Sequence, residues 1–125
     1  SYSQPAVNDR EIWGELVPYD KVWRTGANEA TTIEFSRDVR INGKNVPAGK
    51  YSLFTIPGEK SWTVILNSDA NQWGAYKYDK DKDALRINVS PQRLESKAER
   101  LTFDINDKGK VSMHWDEMAF SFIVE

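Results

Sequence analysis

The residues best equipped for recognition lie in one stretch, Trp23-Arg24-Thr25-Gly26-Ala27-Asn28-Glu29. Arg24 offers a planar fork of donors, Asn28 an amide that donates and accepts, and Glu29 a carboxylate. Gly26 lets the backbone turn sharply among them. Trp23 supplies an aromatic face, and Trp73, in Asn71-Gln72-Trp73, a second stacking surface. Trp23, Arg24, Asn28, Glu29 and Trp73 are therefore the candidate ligand-binding residues, suited to an anionic or sugar-like molecule. The same types also fit a structural clasp, in which Arg24 pairs with a carboxylate such as Glu29 and pins a long loop to a sheet edge. The two readings differ in position: an open cleft for a site, a buried and fully bonded Arg24 for a clasp.

The catalytic inventory is thin. His114 is the single histidine, and Ser112, His114 and Asp116 share a strand face at i, i+2 and i+4. Same-face neighbours on a strand lie roughly 7 Å apart at Cα, too far for one imidazole to bond both partners. A solvated face is the better reading. Asp79, Asp81 and Asp83 echo the first ligands of a calcium loop, but Ala84 and Ser90 stand where that loop needs Gly and Glu. Lys77, Lys80 and Lys82 nearly neutralise the run. Glu15, Glu29, Glu34 and Asp104 are available for glycoside hydrolysis, yet nothing in the sequence pairs two of them across a cleft. There is no Cys and no phosphate-cradling glycine loop. No catalytic residue, metal or cofactor is assigned.

The elements that must position these residues are strands. Val46 to Asn67 holds two runs, Lys50 to Ile56 and Ser61 to Leu66, rich in aromatic and β-branched types. Pro57-Gly58-Glu59-Lys60 between them is a turn, because Pro presets φ and Gly tolerates positive φ. Both faces of this hairpin are apolar, which places it at the centre of a sheet covered on two sides. Strands are also expected at Thr31 to Phe35, Val39 to Asn42, Ala84 to Ser90, Arg100 to Asn106 and Val111 to Trp115. Gly74-Ala75-Tyr76 reads as a short edge segment. A helical turn is expected at Arg10 to Leu16. After Trp115 the apolar parity slips, to Met118, Phe120, Phe122 and Val124. One residue of slip turns a strand over, so Asp116-Glu117 is a bulge or a turn, and a turn into a final strand is preferred. The expected architecture is an all-β, antiparallel β-sandwich of about eight short strands with little helix.

The length, 125 residues, suits one domain, and the formal net charge of -2 without a basic run argues against nucleic acid. No apolar run approaches the roughly 20 residues of a membrane-spanning helix. The chain opens at Ser1 with an extended Tyr2-Ser3-Gln4-Pro5, and an upstream N-terminal strand is expected to precede it.

Three blocks, PYDKVWRTGANEATTIEFSRDV, PAGKYSLFTIPGEKSWTVILN and NQWGAYKYDKDKDALRINV, closely resemble a bacterial cell-envelope family, domain of unknown function 2911 (DUF2911). The resemblance runs from about Tyr2 to the C-terminus, with Asp20 standing where Gly is usual. It implies a β-rich single domain and export, hence a periplasmic or secreted location. It implies no activity, substrate or catalytic residues. The leading expectation is a non-catalytic envelope module binding a small polar or carbohydrate-like ligand. The alternatives are a structural or assembly protein pairing through a sheet edge, including a homodimer, and a hydrolase using Glu29 with Arg24 or His114.

Overall fold

The computed structural model describes residues 3–26, 31–70 and 79–125. Its centre is the hairpin expected from composition. Strand β4 (Gly49–Ile56) pairs with β5 (Trp62–Asn67), in the register Leu53↔Leu66 and Thr55↔Val64. β1 (Thr31–Phe35) flanks β4 and β6 (Asp83–Val89) flanks β5, so the hairpin occupies the middle of a four-stranded antiparallel sheet. Its odd and even positions are buried alike. Tyr51, Leu53, Trp62, Val64 and Leu66 enter the main core, while Phe54 and Ile65, at 0% exposure, form a second cluster on the opposite face with Val22 and Ile56.

A second layer covers the inner face. It consists of the ribbon β7 (Gln92–Ile105) with β8 (Lys110–Ile123) and the small hairpin β2 (Val39–Ile41) with β3 (Lys44–Val46). Leu101, Val111, Met113, Trp115, Phe120 and Phe122 of the ribbon join the main core. A bridge between Ile41 and Val124 joins the two pieces, reinforced by Glu125 N–H to the Arg40 carbonyl at 2.8 Å and the reverse bond at 2.9 Å. On the other side of the ribbon, residues 5–7 lie along β7: Leu101 N–H donates to the Pro5 carbonyl at 3.0 Å and Val7 N–H to that of Glu99 at 2.8 Å. Between the layers the indoles of Trp13, Trp23, Trp62 and Trp115 form one cluster. Trp13 meets Trp62 edge-on at 5.1 Å, and Trp23 stacks on Trp115 at 5.8 Å.

The all-β, antiparallel reading holds, with four local differences. Residues 10–16 form no helix. Gly14 has φ +88°, and the segment closes as a wide turn through Val17 N–H to the Ile12 carbonyl at 2.8 Å. The polar segment 92–99, to which the pattern assigns no element, belongs to strand β7: its charged side chains lie at the exposed start of the strand, where burial imposes no alternation. Gly43-Lys44-Asn45 reads in sequence as a turn, but Lys44 and Asn45 belong with Val46 to strand β3. The turn is Asn42-Gly43, whose φ values of 52° and 78° are those a two-residue hairpin demands. Most instructive is Asp116. β8 runs unbroken to Ile123, and the parity slip is a bulge with Asp116 at φ 52°, not the preferred turn.

Candidate functional site

The position of the recognition motif follows from one bridge. Trp23 N–H donates to the Thr55 carbonyl at 2.7 Å, and Thr55 N–H to that of Trp23 at 3.0 Å. The segment around Trp23 therefore continues the β1 side of the sheet beyond the start of β1. Cross-strand partners share a face, so Trp23 points inward with Thr55, and its ring is taken up by the tryptophan cluster. The same register puts Arg24 opposite Phe54, on the outer face, beside Val22 of the second cluster.

Past Arg24 the chain leaves the sheet, and it re-enters at Thr31. The neck is closed by hydroxyls. Thr25, at φ 57°, donates from Oγ1 to the Trp23 carbonyl at 3.2 Å and meets Thr55 Oγ1 at 3.2 Å. Thr31 Oγ1 donates to the Thr25 carbonyl at 2.9 Å. Gly26 is required here, since a Cβ would lie 2.9 Å from Thr31 Oγ1. Asn28 and Glu29 fall within this excursion and Trp73 within the β5–β6 connection. All three lie outside the described residues, as does the expected edge segment at Gly74-Ala75-Tyr76.

Arg24 is half-buried, and its Nε is wholly buried without a hydrogen-bond partner. Among the described residues no carboxylate pairs with it. A buried donor without an acceptor forfeits about 1–3 kcal/mol, and more when it is charged. Polar side chains around the buried part of the outer face are bonded. Ser52 Oγ donates to the Asp69 carbonyl at 2.6 Å. Asn67, at 0% exposure, donates to the Asp79 carbonyl and to Asp83 Oδ1, both at 2.9 Å, and accepts from Asp69 N–H at 3.0 Å. Asp83 Oδ2 holds Arg86 Nε at 2.8 Å. These bonds tie both feet of the β5–β6 connection to the sheet, a network that the isolated polar letters of the sequence do not announce.

The remaining sequence candidates are dispersed. His114 Nδ1 lies 3.7 Å from Asp104 Oδ2, across the ribbon, while Asp116 is carried into the bulge. Asp79 caps the 3-10 turn Lys80–Lys82 by accepting from Asp81 N–H at 3.0 Å, and Asp83 serves Asn67 and Arg86. Among the described residues no three His, Cys, Asp or Glu side chains gather as a metal site. Glu15, Glu34 and Asp104 are exposed on separate elements. Another buried donor is left over, the Trp13 indole N–H inside the cluster.

The family model described as a protein of unknown function, DUF2911, matches residues 1–124. The chain belongs to the DUF2911 family. Asp20, where Gly is usual in the resemblance, has φ 62°, a conformation Gly adopts freely, and its N–H donates to the Pro57 carbonyl at 2.7 Å. No curated protein and no solved structure matches the chain. Among the described residues no helix is long and apolar enough to cross a membrane.

Proposed function

We propose that this DUF2911 chain is a non-catalytic binding module of the cell envelope, periplasmic or secreted, for a small polar or carbohydrate-like ligand anchored by Arg24. One observation carries the reading: the buried Arg24 Nε donates to nothing, on a sheet face where the neighbouring polar side chains Ser52, Asn67 and Arg86 are bonded. A structural clasp would use that donor. A site keeps it for an acceptor that arrives from outside. Asn28, Glu29 and Trp73 complete the proposed set as amide, carboxylate and stacking ring. The test is a thermal-shift panel of saccharides and peptidoglycan fragments. Binding raises the melting temperature, and Arg24→Ala abolishes the rise; a panel without any shift sinks the reading.

Assembly through a sheet edge is the second reading. It is favoured by an apolar cleft of about 150 Å³ between β1 and the ribbon, lined by Ile33, Leu53, Phe103, Ile105 and Val111, with Ile105 68% exposed. A concentration-dependent dimer in sedimentation experiments, lost in Ile105→Lys, is its expected signature.

A further inference from the structure

We propose that the polypeptide preceding Ser1 adds an extended strand to this fold, laid antiparallel between β1 and β7, with alternate apolar side chains filling the cleft between them. The proposal does not rest on Arg24, which lies on the outer face of the sheet. The cleft, of about 150 Å³, is lined by Ile33 and Leu53 on one side and by Phe103, Ile105 and Val111 on the other. Both walls lose their cover in the same direction. Leu101, Phe103 and Ile105 share one face of β7; Leu101 is 0% exposed, Phe103 half-buried and Ile105 68% exposed. On β1, Thr31 is buried while Ile33 and Phe35 are half-buried. An exposed isoleucine beside an apolar cleft at a sheet margin marks a face built for a partner.

The course of residues 3–7 selects the occupant. Residues 5–7 already lie along the margin of β7, antiparallel, through the Ala6↔Arg100 bridge. Followed backwards from Val7 to Pro5, they advance along β7 from Glu99 to Leu101, toward Phe103 and Ile105. At Ser3 the chain has reached the start of β1: a Cβ on Gly26 would lie 3.6 Å from the Ser3 carbonyl oxygen and 2.9 Å from Thr31 Oγ1. It therefore stands at one end of the cleft, heading along it. The cleft sets residues 31–33 beside 103–105, and an adjoining hollow of about 430 Å³ sets 34–37 beside 107–109. β1 and β7 thus run the same way, and a strand antiparallel to one is antiparallel to both. β1 is also the outermost strand of its sheet. Thr55 gives both its bonds to Trp23, so Leu53 and Tyr51, at the same parity of β4, face Thr31 and Ile33 in the same manner. Thr32 and Glu34 then direct their N–H and C=O groups away from β4, toward the added strand. About five residues, at roughly 3.4 Å each, span β1, and every second side chain points into the cleft. The segment is expected to alternate aliphatic or β-branched residues with polar ones. A second copy of the chain would compete for the same cleft, but the tethered segment holds the advantage of effective concentration.

The test compares the mature protein, purified with its native N-terminus, with residues 1–125 alone. The longer form is expected to melt at least about 5 °C higher. Ile105→Lys is expected to lower its melting temperature by a similar amount, yet to move that of residues 1–125 by no more than about 2 °C, because Ile105 is largely exposed there. Hydrogen exchange supplies a readout that needs only the longer form: the Glu34 amide should exchange at least about tenfold more slowly in the unmutated protein than in Ile105→Lys. Equal melting temperatures for the two lengths, or an Ile105→Lys change that leaves Glu34 exchange in the longer form unaltered, would overturn the proposal. A native N-terminus at Ser1 would overturn it as well. So would a longer form that dimerises through Ile105, since a second copy would then hold the cleft. None of these outcomes bears on ligand binding at Arg24.

Discussion

The two faces of the four-stranded sheet bury side chains equally well and for different reasons. The inner face is filled by Leu53, Trp62, Val64, Leu66 and Ile87, which meet the ribbon and the indole cluster through contacts that have no required direction. On the outer face Phe54 and Ile65 are just as buried, but Ser52, Asn67, Asp83 and Arg86 surround them, each with a named partner. A residue removed from the inner face leaves a volume unfilled. One removed from the outer face leaves a particular atom unpaired. Against these named bonds the idle Arg24 Nε becomes informative.

Four substitutions probe that contrast. Trp62→Ala, at 1% exposure and 5.4 Å from the Phe120 ring, should cost about 3–5 kcal/mol in urea unfolding. Ser52→Ala removes the bond to the Asp69 carbonyl, for about 1 kcal/mol by the same measurement. If the two costs were equal, the distinction between the faces would collapse. Tyr51 sits on the inner face but carries a polar tip, donating to the Pro47 carbonyl at 2.6 Å. Burial first, and Asp38 second, hold its pKa above the usual tyrosine value of 10.0. The unfolded chain therefore ionises first as pH rises, so this contribution is intact below about pH 10 and lost above it. Tyr51→Phe should flatten the alkaline decline in stability, and an unaltered slope would remove Tyr51 as its source. The smallest effect is expected at Arg24. Arg24→Met replaces an idle donor with an apolar chain of similar length, and stability should stay within about 0.5 kcal/mol or rise. A loss of several kcal/mol would make Arg24 a clasp after all.

The central hairpin was legible because its signals are local: Pro57-Gly58 for the turn, and apolar residues at both parities for the double cover. The parity slip after Trp115 was legible too, but not its form. An aspartate at positive φ inside a continuous strand looks in sequence like a turn residue. Residues 92–99 escaped because an exposed strand need not alternate. The facing of Trp23 and Arg24 was hidden for another reason. It is set by Thr55, thirty-two residues away, whose two hydrogen bonds impose strand geometry on a stretch without strand composition. Residue types identified the chemistry Arg24 offers, and only the long-range pairing assigned it a face.

The seam described at Arg40 also constrains when the molecule can form. Val124 N–H closes on the Gly109 carbonyl at 2.8 Å, and Glu125 exchanges both bonds with Arg40. A segment emerging from the ribosome can build the central hairpin early, because its strands are neighbours in sequence. Sealing β2 against β8 must wait for residues 124 and 125, eighty-odd positions after their partner was synthesised. Loop closure over that separation makes this step slow, so the molecule stays open along one side well after its central hairpin has formed.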